Sequence, residues 1–261
     1  MPTGQPVVRL GNGPRPLVVL QGLAFENKEG LLPRIVVRSN YGFLADDFTV
    51  YAVLRRPGLP QGYTLADMAD DYAEMIREKF GGPVDVIGIS TGGSIVLYLA
   101  ADHPDVVRRL VIHSGAHSLS EDAKRIQLEI ARLAGLGQWR KAYRILLDFA
   151  PEPKTGPARV VTRPLKVLGS WLLARIAPKD PSDLIVTVEA EDKHAFKDRL
   201  HEITVPTLVA GGTEDPGYTP ALFRETAEGI PNARLLLYEG MGHPVRGKQF
   251  QQEVLDFLGA P

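Results

Sequence analysis

The chain has 261 residues, of which 44% are hydrophobic, and its formal net charge at pH 7 is -1. This length allows one α/β domain with a well-buried core and an insertion. The near-neutral charge disfavours a nucleic-acid binder, because no excess of Lys and Arg is present to neutralise phosphates. The absence of cysteine excludes disulfides, thiolate nucleophiles and cysteine metal sites.

Targeting and membrane signals are not visible in the sequence. Residues 1–10 lack a basic segment followed by an apolar core, as a secretory signal requires. No apolar run approaches the roughly 20 residues of a membrane helix. We therefore expect a cytoplasmic protein without a membrane span.

Six short runs rich in Val, Ile and Leu predict buried strands. In chain order they occupy residues 17–20, 48–53, 84–87, 110–112, 207–210 and 235–238. The runs are compact and do not alternate between apolar and polar residues, which favours parallel strands covered on both faces.

Helical patterns lie between these strands. Thr64 with Asp67 predicts the start of an amphipathic helix, residues 92–101 a nearly all-apolar one, and Thr219-Pro220 a third helix start. Strands that alternate with helices predict an α/β fold with a doubly wound, mostly parallel sheet.

The alternation stops over residues 116–197, where the apolar spacing is helical only and prolines punctuate the sequence. We interpret this stretch as a helical insertion between the fourth and fifth predicted strands. The core then comprises residues 1–115 and 198–261.

A candidate nucleophile lies in Gly88-Ile89-Ser90-Thr91-Gly92, which directly follows a predicted strand and opens the apolar helix. A serine raised above a sheet needs a tight turn, so the residues two before and two after it must be small. The N-terminus of the helix then presents the Thr91 N–H to a developing oxyanion. The alternative is an incidental serine in a glycine-rich turn.

Serine needs a histidine to accept its proton and a carboxylate to orient that histidine. His243 follows the last predicted strand, where a loop reaches back over the sheet edge, and His113 and His117 are its nearest rivals. Glu214 and Asp215 follow the strand before it; only one can serve, and we favour Asp215 because it is shorter and precedes Pro216. A solvated loop histidine and a solvated acidic turn are the alternatives.

With these three segments in place, the sequence resembles the α/β-hydrolase superfamily over nearly all of the chain outside the insertion. The resemblance rests on residues 16–22, 88–94, 103–111 and 205–211, together with Asp215 and Gly242-His243. It implies that the insertion is a cap over the substrate pocket. It also implies that the backbone N–H groups of Leu23 and Thr91 form the oxyanion hole.

The chain departs from the family pattern at two places. Gln21 replaces the usual histidine before Gly22, so the hydrogen bonds that shape this loop should differ. Arg55-Arg56-Pro57 stands where the family often carries an Asp-x-Arg-Gly stretch, which affects the polar network beneath the nucleophile.

Candidate pocket residues come from the insertion and from the strand ends. In the insertion, Trp139, Tyr143 and Trp171 are candidates for an apolar acyl or alkyl site, although packing of cap against cap is the default. Gln21, Ser114 and His117 are candidates for substrate contact near the triad. A further alternative concerns Arg140, Lys141 and Arg144, which form either an anion-attracting surface or a solvated helix face.

These features predict a serine hydrolase that acts through an acyl-enzyme on a small or medium carboxylic ester, without a metal or an organic cofactor. Its expected partner is a small-molecule substrate, and the oligomeric state is left open. Hydrolysis of a lactone, a thioester, an amide or a carbon–carbon bond, and peroxyacid formation, are alternatives on the same triad. A slow or non-catalytic ligand-binding protein of this fold is the contrasting class.

Overall fold

A computed structural model of the chain describes residues 4–149 and 157–259. Within these residues the strands are β1 (Val7–Leu10), β2 (Arg15–Leu20), β3 (Phe48–Val53), β4 (Val84–Ile89), β5 (Val107–His113), β6 (Thr207–Gly212) and β7 (Ala233–Tyr238). The α-helices are α1 (Leu31–Tyr41), α2 (Leu65–Phe80), α3 (Thr91–Asp102), α4 (Glu121–Gly135), α5 (Trp139–Phe149), α6 (Pro157–Arg175), α7 (Ser182–Asp192), α8 (Pro220–Gly229) and α9 (Lys248–Gly259).

The strands form one sheet in the order β1-β3-β2-β4-β5-β6-β7. Every neighbouring pair is parallel except β1 with β3, which is antiparallel. The doubly wound, mostly parallel sheet is therefore confirmed. The carboxyl ends of its parallel strands share one edge, where such folds place their ligands.

The apolar strand runs reflect burial on both faces of the sheet. In β2, Val18 and Leu20 belong to one core cluster, and Leu17 and Val19 belong to the other. Successive side chains of a strand point to opposite faces, so a strand covered on both sides must be apolar at every position. This explains why the runs showed no alternation.

Each of the six predicted runs lies within an observed strand, but the sequence reading missed β1 and α1. Strand β1 has four residues and lies at the sheet edge, with only Val8 fully buried. Helix α1 has no side-chain cap at Gly30, and its first turn contains no acidic residue. Both elements therefore lack the local signals on which a sequence-based prediction depends.

The predicted start of α2 is confirmed in atomic detail. The Asp67 N–H donates to Thr64 Oγ1 at 3.1 Å, and the Thr64 N–H donates to Asp67 Oδ2 at 2.8 Å. This reciprocal capping box satisfies backbone donors that the first turn of a helix leaves unpaired.

Helices α4 to α7 follow β5 and precede β6, in the stretch where the sequence showed helical spacing only. They have a small apolar core of their own, which includes Ile130, Ala142 and Leu184. Helix α7 is also bound to the loop after β3, because Asp183 accepts hydrogen bonds from the N–H groups of Gly58 and Leu59 at 3.2 and 2.8 Å. Among the described helices, none is both long and apolar enough to cross a membrane.

Candidate active site

Ser90 lies on the turn between β4 and α3, with φ 55° and ψ −123°. A Cβ at Gly88 would lie 2.4 Å from the carbonyl oxygen of Gly92, and a Cβ at Gly92 would lie 2.2 Å from that of Leu20. No L side chain fits at these distances. The turn therefore needs both glycines of the motif, and it holds Ser90 in a left-handed conformation that non-glycine residues rarely adopt.

Ser90, Asp215 and His243 meet at the carboxyl edge of the sheet. His243 Nε2 lies 3.0 Å from Ser90 Oγ, and His243 Nδ1 lies 2.8 Å from Asp215 Oδ2. The Asp215 side chain is fully buried. Its Oδ1 accepts hydrogen bonds from the N–H groups of Gly217 and Tyr218 at 2.8 and 3.1 Å. The carboxylate is thus fixed in place, and one imidazole bridges it to the serine hydroxyl.

The structure distinguishes the two adjacent acidic residues after β6. Asp215 reaches the imidazole, whereas Glu214 is exposed. The Glu214 N–H donates to the carbonyl of Met241 at 3.0 Å, and a Cβ at Gly212 would lie 2.1 Å from that same carbonyl oxygen. The glycine therefore lets the loop after β7 approach the loop after β6 closely enough for the two side chains to meet.

His113, the first rival to His243, is enclosed at the end of β5. Tyr41 Oη donates to its Nδ1 at 2.8 Å, and its Nε2–H donates to the Val245 carbonyl at 2.9 Å. Burial lowers the pKa of His113 to about 3, so the ring stays neutral with both nitrogens engaged. His113 supports the loop of His243 and is not available as a base.

His117, the second rival, is bound to α8. Its Nε2 lies 3.3 Å from Glu225 Oε2, and its backbone N–H donates to Thr226 Oγ1 at 3.0 Å. Among the described residues, none of its hydrogen bonds reaches the triad. The expected substrate contact through His117 is therefore not supported by its position.

Ser114 is fully buried, although it was a candidate for substrate contact. Its Oγ accepts a hydrogen bond from the Val245 N–H at 3.1 Å, and its own N–H donates to Ala210 at 2.7 Å. Ser114 Oγ and His113 Nε2 thus bind the N–H and the carbonyl of Val245, which lies two residues after His243. The structure gives Ser114 a supporting position instead.

The candidate oxyanion donors, Leu23 and Thr91, lie on the two sides of the serine turn. Thr91 is the first residue of α3, so its N–H has no acceptor within the helix. Leu23 follows Gly22, where a Cβ would lie only 3.2 Å from Ser90 Cβ. Within residues 4–149 and 157–259, neither backbone N–H donates a hydrogen bond.

Three side chains that the sequence reading missed contact the loop before Leu23, the Thr91 hydroxyl and the His243 ring. Arg55 donates to the carbonyls of Gln21 and Gly22 at 3.1 and 2.9 Å. Glu191 accepts a hydrogen bond from Thr91 Oγ1 at 2.7 Å. Tyr218 stacks on His243 with ring centroids 5.9 Å apart. Arg55 was noted only as a departure from the family pattern, and nothing local marks the other two.

An aromatic cluster joins the candidate oxyanion loop to the helical insertion. The ring of Phe25 lies 4.6 Å from that of Tyr143 and 6.0 Å from that of Trp139, measured between centroids. Leu23 packs against the same apolar core. Two of the predicted pocket residues, Trp139 and Tyr143, thus lie beside Phe25, which is two residues beyond Leu23 and which the sequence reading missed.

The remaining pocket candidates, Trp171 and Gln21, have other surroundings. Trp171 on α6 is 42% exposed, and the Arg175 guanidinium stacks on its ring at 3.9 Å. Gln21 lines a small cavity with Val7 and Val37, and its Nε2 is buried without a hydrogen-bond partner in the described part of the chain. Neither residue is placed with the Phe25 cluster.

A separate cleft of about 450 Å³ opens between α4, α5 and α6. Arg140, Lys141 and Arg144 line it, together with Arg132 and Glu129. Two of these cations are already paired, since Arg132 binds Glu129 and Arg144 binds Asp148. None of Ser90, Asp215 and His243 lines this cleft. In the residues that the structure describes, no group of three or more His, Asp or Glu side chains is arranged to hold a metal ion.

Comparison with known proteins gives consistent matches. Residues 31–255 match the model of the alpha/beta hydrolase family. The chain is 27% identical over 207 residues to a protein of Yersinia enterocolitica named as a carbamate hydrolase, RutD, covering 77% of this chain and 72% of that protein. It is 27% identical over 176 residues to a pimeloyl-[acyl-carrier protein] methyl ester esterase of Neisseria meningitidis, covering 66% of this chain and 54% of that one.

Solved structures share the fold over nearly the whole chain. An alpha/beta hydrolase from a deep-sea metagenome library has a TM-score of 0.82 at 18% identity, covering 98% of this chain and 95% of that one. The enol-lactonase of Burkholderia xenovorans has a TM-score of 0.76 at 22% identity, covering 98% and 96%. At these identities the structural likeness establishes the fold.

Proposed function

Because this chain belongs to the alpha/beta hydrolase family, we propose that it is a serine hydrolase that cleaves a carboxylic ester through an acyl-enzyme. The observation that carries the proposal is the continuous hydrogen-bonded chain from Ser90 Oγ through His243 to Asp215, at 3.0 and 2.8 Å. A buried carboxylate on one imidazole nitrogen fixes the tautomer whose other nitrogen accepts the serine proton.

In the first step, Ser90 Oγ attacks the ester carbonyl carbon while its proton passes to His243 Nε2. The carbonyl oxygen becomes an oxyanion, which accepts hydrogen bonds from the N–H groups of Leu23 and Thr91. When the intermediate collapses, the bond to the alcohol oxygen breaks and His243 returns the proton to that oxygen. Asp215 stabilises the imidazolium that exists between these two transfers.

In the second step, water replaces the alcohol. His243 takes a proton from the water as its oxygen attacks the acyl carbon, and the same two N–H groups hold the second oxyanion. Collapse releases a carboxylic acid, and the proton returns to Ser90 Oγ. The cycle therefore consumes one ester and one water and regenerates the enzyme.

The surroundings of Leu23 support an apolar acyl or alkyl group. Phe25, Trp139 and Tyr143 present aromatic surface beside the loop of Leu23, and Tyr143 is buried in this cluster. Aromatic walls with few polar groups favour an apolar acyl or alkyl chain. The names of the matched proteins, a methyl ester esterase and an enol-lactonase, are in accord with carbonyl substrates of this kind.

The proposal is tested by covalent labelling with a fluorophosphonate probe, followed by intact-protein mass measurement. We expect one adduct per chain on the wild type and none on Ser90→Ala. A panel of short- and long-chain p-nitrophenyl esters, run with simple lactones, then separates an esterase from a lactonase. A folded wild type that forms no adduct would favour the ligand-binding alternative.

A further inference from the structure

Two charged side chains are buried next to the site and have no part in the acyl-transfer steps. Arg55 is 1% exposed and Glu191 is 0% exposed. Burying a charge is unfavourable, and apolar residues of similar volume are often at least as stable in such a place. Core packing therefore does not by itself account for these two residues, whereas the groups that they bind do.

Arg55 binds the backbone of the candidate oxyanion loop. Its Nη1 donates to the Gln21 carbonyl at 3.1 Å, and its Nη2 donates to the Gly22 carbonyl at 2.9 Å. The Gly22 carbonyl and the Leu23 N–H belong to one planar trans peptide, in which they point in opposite directions. Holding the carbonyl of Gly22 therefore fixes the direction of the Leu23 N–H.

This loop needs an external support because of Gly22. Glycine rotates more freely than any other residue. A Cβ would nevertheless be crowded there, since it would lie 3.2 Å from the Cβ of Ser90 and 3.3 Å from the carbonyl oxygen of Ile89. The planar guanidinium holds two successive carbonyls, so it restrains the peptide planes on both sides of Gly22.

Glu191 binds the other side of the site. Thr91 Oγ1 donates to its Oε2 at 2.7 Å, and Ser94 Oγ donates to its Oε1 at 3.1 Å. These two residues belong to the first turn of α3, which carries the Thr91 N–H. Tyr218 Oη also donates to Glu191 Oε1, at 3.2 Å, and the Tyr218 ring stacks on His243.

The two buried charges support each other electrostatically. Burial lowers the pKa of Arg55, and the negative charge of Glu191 raises that pKa back towards its ordinary value. Burial likewise raises the pKa of Glu191, while its hydrogen bonds from Thr91 and Ser94 and the charge of Arg55 lower it. Opposite charges on the two sides of the oxyanion site thus make each other's burial less unfavourable.

We propose that Arg55 and Glu191 are paired positioning residues of the oxyanion hole. Arg55 orients the Leu23 N–H through the Gly22 carbonyl, and Glu191 holds the turn that presents the Thr91 N–H. The inference rests on the proposed function, because it assigns these residues to the oxyanion of that reaction. It also explains how the loop keeps its shape with Gln21 in place of the family's histidine.

The test compares Arg55→Met, which fills similar space without hydrogen bonds, with Arg55→Lys, which keeps the charge but not the two-pronged geometry. Arg56→Met is the matched control, because the neighbouring Arg56 pairs with Asp71 at 3.0 Å instead of binding the loop. We measure kcat and KM on a p-nitrophenyl ester, and the amide NMR signals of Leu23 and Thr91 in ¹⁵N-labelled protein.

Loss of one oxyanion donor lowers rates by about 10²–10³. We therefore expect kcat of Arg55→Met to fall about 100-fold with KM within about twofold, and the Leu23 amide signal to shift or broaden. Arg55→Lys should lie between this variant and the wild type, and Arg56→Met should keep the wild-type kcat. Glu191→Gln should lower kcat about tenfold and move the Thr91 signal.

Different results separate the possible failures. If folded Arg55→Met keeps the wild-type kcat and Leu23 signal, the positioning role is wrong. If Arg55→Met does not fold, Arg55→Lys and Glu191→Gln decide by the same two readouts. If the wild type neither hydrolyses esters nor reacts with the probe, the proposed function fails, and the amide signals alone still show whether Arg55 orients the Leu23 peptide.

Discussion

At the residue scale, the site depends on places where a side chain would not fit. Gly88 and Gly92 lack room for a Cβ, because an added Cβ would lie 2.4 Å from the Gly92 carbonyl oxygen at the first position and 2.2 Å from the Leu20 carbonyl oxygen at the second. Ser90 between them keeps its left-handed backbone because β4 and α3 fix both of its ends. The conformation of this residue is thus determined by its neighbours.

Replacement of Gly88 by alanine tests this dependence. The added Cβ would meet Gly92 O at 2.4 Å and Val96 Cγ2 at 2.5 Å, so the turn must shift. We expect Gly88→Ala to lower the free energy of unfolding by about 3 kcal/mol, at the upper end for point substitutions, and to reduce the proposed esterase activity sharply. Chemical denaturation and steady-state kinetics measure the two effects.

Gly82→Ala is the matched control, since nothing lies within 4 Å of a Cβ at that position. It should leave activity unchanged and alter stability by less than about 1 kcal/mol. If the two variants lost stability and activity equally, the lack of room for a Cβ at Gly88 would not be the cause of the losses.

At the element scale, strand β5 supports the loop of His243, the proposed base, from a distance in sequence. Its last residue, His113, and the following Ser114 bind the carbonyl and the N–H of Val245, at 2.9 and 3.1 Å. Val245 is two residues beyond His243, so these bonds locate the loop that carries the imidazole. Ser114, a candidate for substrate contact, thus binds the loop that carries the proposed base.

Ser114→Ala should reveal this support. The Val245 N–H would be left buried without its acceptor, which destabilises the fold by about 1–3 kcal/mol. Small displacements of a catalytic group have large kinetic effects, so we expect kcat to fall by up to about 100-fold with KM little changed. Ser118→Ala is the control, because the hydrogen bond of the Ser118 hydroxyl within the described residues goes to the adjacent Leu119 carbonyl, at 3.2 Å. A raised KM with normal kcat in Ser114→Ala would instead indicate substrate contact.

The same scale explains which parts of the site could be predicted. Ser90 is recognisable by the glycines two residues before and after it, and Asp215 and His243 each follow a recognisable strand within six residues. Glu191 and Thr91, by contrast, are 100 positions apart and meet only because the fold brings the end of α7 to the first turn of α3. Local patterns identify the groups at strand ends, but they carry no information on which distant helix supplies a buried partner.

At the scale of the whole molecule, two buried histidines link stability to pH. Burial lowers the pKa of His113 to about 3 and that of His194 to about 4, from an unfolded value near 6.5. As the pH falls, such a histidine is protonated in the unfolded chain at a higher pH than in the folded protein, and this protonation favours the unfolded state. The free energy of unfolding should therefore fall as the pH drops from about 6.5 towards 4.

His194→Gln should make stability less sensitive to acid. For a pKa lowered to about 4, the wild type loses on the order of 3 kcal/mol from this one residue between pH 7 and pH 4. The variant lacks this contribution, so its denaturation midpoints should change less over that range. The exposed His201 provides the control His201→Gln, which should follow the wild type. Parallel pH curves for wild type and His194→Gln would contradict the buried neutral state of His194.

The architecture as a whole was more predictable than its edges. All six strands with apolar runs were anticipated, as was the helical stretch between β5 and β6. Strand β7 differs from the expected burial, since only Tyr238 in it is buried and Arg234 is exposed. Strand β1 was not, since it is held by pairing with distant residues such as Tyr51 and Val53, which lie opposite Arg9 and Val7. Helix α1 was not, since it begins without a capping side chain at Gly30. The extent of the cap, residues 116–197, stays a prediction.

The central claim is that Ser90, His243 and Asp215 act as one catalytic unit. Catalytic groups that act together show strongly non-additive effects when they are removed. The measurement is kcat/KM on one p-nitrophenyl ester for Ser90→Ala, Asp215→Asn and the double variant. We predict a loss of about 10⁴-fold for Asp215→Asn, a larger loss for Ser90→Ala, and a double variant no slower than Ser90→Ala alone. Losses that multiply in the double variant, or an Asp215→Asn enzyme with wild-type activity, would contradict the account.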